Sequence, residues 1–250
     1  MNREFETRFG TMKYSVIGEG DEFAVMLQGW ATNRSLYSSI VNELAKKYTV
    51  IFPALQGFGE SADPIAPMSV SDYAEAVNSL LARLGVTHAV FFCHSYGGRV
   101  FFKLNSLADR FTEPSLVILS DVAGIVPHRS LARRIKMKLF KLGKRFLPAL
   151  AKKLRSRAGS SDYNAASDVM KKTLILAVNE DLRHLFPDVS APTLIMWGSL
   201  DDAVPLSDAY IIEAAIPDSA VVVFAQSAHF PFITEEERFL AVVRSFFNIN

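Results

Sequence analysis

The chain predicts an α/β protein, with a mainly parallel, doubly wound sheet, helices on both faces, and a helical insertion after the strand that ends near Asp121. Three observations carry that expectation. Short apolar runs alternate with segments of helical period along most of the sequence. The runs are rich in Val, Ile and Phe at consecutive positions, as strands buried on both faces require. Between Asp121 and Thr193 the alternation stops and only helical periodicity remains.

Taken in order, Lys13–Ile17 and Phe23–Gln28 are the first apolar strands, and Leu36–Lys47 follows with helical spacing. Thr49–Pro53 is a third strand, and Val70–Leu84 is long enough and periodic enough for a helix. Ala89–Cys93 is a compact apolar strand, and a helix over Gly98–Leu107 follows two glycines. Ser115–Ser120, Thr193–Trp197 and Ala220–Phe224 complete the strands, with helices at Ser207–Ile216 and Glu235–Phe247. Right-handed crossovers then fix most of the topology. Inside the insertion, Leu131, Ile135, Leu139, Leu142 and Phe146 recur at spacings of four, four, three and four, and Pro148 opens another short helix. Residues 127–187 are expected to form a lid over a core built from residues 1–126 and 188–250.

The 250 residues suit one large domain with a sizeable core, and the formal net charge is +1. The single cysteine rules out an internal disulfide and fits a reducing compartment. The first residues alternate in charge without an apolar signal region, and no apolar stretch approaches the ~20 residues needed to span a bilayer. A cytoplasmic protein is expected, with no nucleic-acid partner. Charge is unevenly placed, however. From Val122 to Ser161 there are twelve Arg and Lys and no Asp or Glu, so the remainder is strongly acidic. Such a segment is either a solvated helix face or a contact for a membrane surface or an anionic substrate.

The chemistry is concentrated at residues 91–100, Phe-Phe-Cys-His-Ser-Tyr-Gly-Gly-Arg-Val. An apolar strand ending in Ser95, followed by two glycines and a helix, builds a sharp turn that lifts the hydroxyl out of the sheet. A hydroxyl needs a base before it is a useful nucleophile. His229, in Gln226-Ser-Ala-His-Phe-Pro-Phe232, is the one histidine that follows the last strand, which makes it the base. Asp201, in the loop Gly198–Pro205, is the expected acid, with Asp202 a solvated neighbour. His94 is expected to pack against the sheet, and Cys93 to be an inert buried thiol.

The order Ser, acid, His resembles the α/β-hydrolase superfamily, in particular its lidded esterase- and lipase-like members, over essentially the whole chain. Gln28-Gly-Trp-Ala-Thr-Asn33 resembles the family's oxyanion loop, and Gln56-Gly-Phe-Gly-Glu-Ser61 its Gly-x-Gly-x-Ser stretch. The resemblance implies the α/β-hydrolase fold and catalysis by Ser95, His229 and Asp201. It implies Asp121, at the end of the preceding strand, as the alternative acid, since some members draw their acid from that strand. It also implies an oxyanion hole made from the backbone N–H groups of Trp30 and Tyr96. Three departures stand out: Cys93 replaces the elbow's first glycine, Gln28 the loop's histidine, and Ala54 an acid before the Gly-x-Gly stretch. The implied reaction is hydrolysis of a small-molecule carboxylic ester through an acyl-enzyme, with no metal and no organic cofactor. Thioester, lactone or carbon–carbon hydrolysis uses the same residues. A ligand-binding protein on a hydrolase scaffold is the rival from another class.

Overall fold

The computed structural model describes residues 2–126 and 166–249. Eight strands form one sheet: β1 (Asn2–Thr7), β2 (Gly10–Ile17), β3 (Glu22–Leu27), β4 (Tyr48–Ala54), β5 (His88–His94), β6 (Glu113–Ser120), β7 (Thr193–Gly198) and β8 (Ser219–Phe224). Their spatial order is β1-β2-β4-β3-β5-β6-β7-β8. β1 pairs antiparallel with β2 and β2 antiparallel with β4; every other pairing is parallel. The parallel strands are therefore the apolar runs, and β4, β5 and β7 are buried at almost every position.

Helices cover both faces. On one side α2 (Val70–Leu84), α3 (Tyr96–Asn105) and α5 (Leu206–Ala215) enclose a core that includes Leu27, Phe91, Phe101 and Trp197. On the other, α1 (Ser38–Leu44) and α7 (Glu236–Phe247) cover Met26, Phe52, Phe92 and Phe224. α2 has the predicted bounds because its ends are written locally. Ser69 and Asp72 bond each other's backbone N–H groups at the start, and Gly85 ends the helix at φ 73.

Besides shifts of one to three residues at element ends, three elements differ from the sequence expectation. β1 was not foreseen: it is an edge strand whose charged residues face solvent, so pairing with β2 rather than an apolar run makes it a strand. The helix expected over Leu36–Lys47 is a 3-10 turn, Arg34–Tyr37, followed by the shorter α1. Pro231–Thr234 is an extra short helix, α6, which leads into α7.

The predicted stripe from Leu131 to Phe146, and the basic residues with it, lie outside the described residues. The C-terminal part of the insertion is helical: α4 (Asp168–Val178), then a 3-10 helix over Arg183–Asp188. Contacts tie it to the core. Met68 N–H donates to Thr173 Oγ1 at 3.1 Å, Leu182 N–H to Gly124 O at 2.8 Å, and Arg99 to Glu180 O at 2.8 Å.

Candidate active site

The carboxyl ends of β5, β6, β7 and β8 meet at one edge of the sheet, the place where open parallel sheets bind ligands. Ser95 stands between β5 and α3 at φ 51, ψ −111, a conformation that costs a non-glycine residue about 1–3 kcal/mol. The surrounding backbone holds it there. Ser95 N–H donates to Ser120 O at 3.0 Å, and Ser95 O accepts from Gly98 N–H at 3.1 Å and Ala123 N–H at 2.9 Å. The turn also needs Gly97, where a Cβ would lie 2.0 Å from the carbonyl oxygen of Leu27.

His229 Nε2 is 2.9 Å from Ser95 Oγ, and its Nδ1 is 2.7 Å from Asp201 Oδ2. A carboxylate only accepts, so Nδ1 carries the proton and bare Nε2 accepts from the serine hydroxyl. Asp201 is fixed from its other oxygen: Oδ1 accepts from Ala203 N–H at 2.8 Å and Val204 N–H at 3.0 Å. Burial disfavours the charged imidazole. The hydrogen bond and charge of Asp201 outweigh it and hold His229 above the ordinary histidine pKa. Asp202 is exposed, as its reading as a solvated neighbour requires.

Asp121 is close but differently employed. At φ 46 and fully buried, it accepts from Gly198 N–H at 2.8 Å and from the Ser120 hydroxyl at 2.9 Å. It therefore ties the end of β6 to the start of the Asp201 loop and makes no hydrogen bond to His229. Burial raises its carboxyl pKa to about 7. Asp121, Asp201 and His229 are the one group among the described residues whose donor atoms lie within 4.8 Å of one another, the spacing a cation would need. Each of the three already spends donor atoms on the hydrogen bonds just described.

Tyr96 is the first residue of α3, so its N–H belongs to the turn that has no intrahelical acceptor. Trp30 lies in a tight turn with Ala31 at φ 55, closed by Thr32 N–H and Oγ1 on Gly29 O at 3.4 and 2.8 Å. Trp30, Phe58, Tyr73 and Tyr96 pack edge-on or stacked, with the Trp30 and Tyr96 rings 5.3 Å apart. Gln28 holds this loop through Nε2 on Thr32 O at 3.0 Å. Cys93 is buried, and burial pushes its thiol pKa well up. The sequence did not single out Tyr37, which carried no motif. Its hydroxyl bonds Gly29 N–H at 2.8 Å and His94 Nδ1 at 3.0 Å.

The model of the alpha/beta hydrolase family matches residues 24–242. The chain belongs to the alpha/beta hydrolase family. This alpha/beta hydrolase is 26% identical to a pimeloyl-[acyl-carrier protein] methyl ester esterase of Aliivibrio fischeri, over 92% of this chain and 95% of that protein. Among solved structures it resembles an esterase from Exiguobacterium antarcticum, with TM-score 0.78, 22% identity, and 98% and 99% of the two chains covered. It also resembles an enol-lactonase from Burkholderia xenovorans, with TM-score 0.76, 20% identity, and 98% and 100% covered. At these identities the two structures establish the fold. Among the described residues no helix is long and apolar enough to cross a membrane.

Proposed function

We propose that this alpha/beta hydrolase is a serine hydrolase that cleaves carboxylic esters through an acyl-enzyme on Ser95. The hydrogen-bonded chain from Ser95 through His229 to Asp201, at 2.9 and 2.7 Å, carries the proposal. His229 takes the hydroxyl proton as Ser95 Oγ attacks the carbonyl carbon, and Asp201 fixes the tautomer and stabilises the imidazolium. The N–H groups of Trp30 and Tyr96 receive the oxyanion. The imidazolium then protonates the leaving alcohol, and a water activated by the same His229 releases the acid.

The name of the Aliivibrio relative supplies the first substrate class to test, a methyl ester of an acyl group borne on a carrier. We place a lid at residues 127–187. The absence of any Asp or Glu among its twelve cations between Val122 and Ser161 supports contact with an anionic substrate or surface. The single buried cysteine supports a cytoplasmic location.

Fluorophosphonate labelling and a panel of methyl and aryl esters of rising acyl length, with a lactone and a thioester, test the reading. Ser95→Ala should abolish labelling and leave only the ~10³–10⁴-fold acceleration over water that oxyanion stabilisation and binding supply. Its thermal stability should be unchanged. Failure of the native protein to label would favour a ligand-binding role; labelling with preference for the lactone would favour that substrate.

A further inference from the structure

We propose that Tyr37 and His94 form a positioning bridge that locks the oxyanion loop at Gly29–Trp30 to the loop carrying His229. The proposal rests on the serine-hydrolase reading and assigns two residues that never meet the substrate.

The hydrogen bonds run in one sense only. His94 Nε2 lies 2.9 Å from the carbonyl oxygen of His229, which can only accept, so Nε2 carries the proton. Nδ1 is then bare and accepts from the Tyr37 hydroxyl at 3.0 Å. With its proton committed, the Tyr37 oxygen accepts from Gly29 N–H at 2.8 Å. The Thr32 hydroxyl, 3.0 Å from the Tyr37 oxygen, closes the far side by donating to Gly29 O at 2.8 Å. Both faces of Gly29 are thus held. In a trans peptide C=O and N–H point in opposite directions, so pinning Gly29 O against Thr32 sets where Trp30 N–H points.

The packing leaves the bridge no slack. Tyr37 and His94 are each 1% exposed. Phe232, three residues beyond the base, stacks on Tyr37 at 5.3 Å and meets His94 edge-on at 5.1 Å. A Cβ on Gly29 would lie 2.8 Å from His94 Nδ1, so only glycine lets the loop approach this closely. The imidazole of His229 is 4.9 Å from that of His94, ring centre to ring centre. Burial and that neighbouring charge hold the pKa of His94 down, at about 3, against the His229 carbonyl and Asp201, which favour its charged form. His94 therefore stays neutral while His229 gains and loses its proton.

The test is the kinetics of Tyr37→Phe, His94→Phe and the double variant on one short-chain ester, beside fluorophosphonate labelling of the native protein and Ser95→Ala. Each single change should lower kcat roughly 10- to 100-fold with KM nearly constant, since a 1 Å misplacement of reacting groups costs ~10²-fold. The double variant should lose little more than either single one, because both break the same bridge. His94→Gln, which keeps an N–H toward the His229 carbonyl, should recover part of the rate. A structural role alone would lower Tm with kcat unaltered, and that result, or fully additive losses, would overturn the bridge. Should a variant fail to fold, nitrogen-15 NMR of the native imidazoles decides: the Nε2–H tautomer of His94 supports the bridge and the Nδ1–H tautomer overturns it. An unlabelled native protein would overturn the nucleophile assignment, and the bridge with it. A labelled protein with unchanged Tyr37→Phe kinetics would overturn the bridge alone.

Discussion

Replacing Asp201 with Asn isolates the tautomer of His229 from the geometry around it. The amide oxygen can take the place of Oδ1 and keep the Ala203 and Val204 N–H groups at 2.8 and 3.0 Å, so the loop retains its turn. The amide NH2 then faces His229 Nδ1, where the carboxylate stood at 2.7 Å. It can only donate there, so Nδ1 gives up its proton and Nε2 gains one. A protonated Nε2, 2.9 Å from Ser95 Oγ, cannot accept the serine proton. One hydrogen bond replaces another, so stability should change by no more than about 1 kcal/mol. Turnover should fall by up to ~10⁴-fold, about 5.4 kcal/mol at 1.36 kcal/mol per decade.

The pH profile adds an independent check. In the native protein the hydrogen bond and charge of Asp201 overcome burial and raise the His229 pKa. With the neutral imidazole as the proposed base, kcat/KM should rise with pH through an inflection above the unperturbed ~6.5. Without the carboxylate the burial effect is left with less opposition, so the inflection of the residual activity should move to lower pH. Steady-state ester hydrolysis between pH 5 and 9 measures both effects. Retention of more than a tenth of native kcat/KM would refute the argument. So would a damaging Asp121→Asn beside a mild Asp201→Asn, since the acid would then be the other carboxylate.

The other predictions concern groups around the site. Asp121→Asn should be mild in catalysis, because the amide oxygen still accepts from Gly198 N–H, but it should change how stability depends on pH. With burial raising the folded pKa to about 7 from ~3.9 unfolded, Asp121 favours the native state fully below pH ~4 and loses that contribution up to pH 7. Denaturant titrations should show the variant gaining on the native protein across that window, and a pH-independent gap would contradict it. Changing Arg133, Arg134, Lys152 and Lys153 to Gln should lower turnover of anionic esters, or binding to anionic vesicles, and leave neutral short-chain esters alone. The native effect should fade as salt shortens the Debye length from ~10 Å at 0.1 M to ~3 Å at 1 M; identical salt profiles for charged and neutral esters would reduce the segment to a solvated face.

Most of the sheet was legible because parallel strands buried on both faces must be apolar at consecutive positions. β7, expected at Thr193–Trp197, runs Thr193–Gly198, and β8 begins one residue before the expected Ala220. β1 was not legible, since an edge strand in an antiparallel hairpin keeps charged side chains and gains its order from its partner. The start of α3 was displaced for a different reason. Two glycines after a serine suggest a turn ahead of a helix at Gly98, yet the helix begins at Tyr96, directly behind the strained residue. Gly97 serves there to clear the Leu27 carbonyl rather than to loosen the chain. Ser95, Asp201 and His229 were legible because each sits in a loop with its own local pattern. Tyr37 has none: it meets His94, 57 residues away, only once the sheet has formed.

The departures from the family pattern fall on positions that pack or hold loops. Cys93 stands where the elbow's first glycine is expected, but it is the penultimate residue of β5, in register with Leu27 and Leu119, and its side chain is wholly buried. The steric demand of the turn therefore falls on the helix side of Ser95, and a small apolar side chain is accommodated on the strand side. Gln28 replaces a histidine and still holds the Gly29–Thr32 turn by its contact with Thr32 O. That contact uses one end of the amide only; Oε1 is buried with no protein hydrogen-bond partner among the described residues. Ala54 leaves its carbonyl to Ser61 Oγ at 2.5 Å, so a hydroxyl of the Gly-x-Gly-x-Ser stretch ties that loop to the end of β4 without a carboxylate. All three changes fall on groups that pack or hold a loop. None falls on an atom that would move a proton or carry the acyl group, which is why the Ser95–His229–Asp201 geometry persists without them.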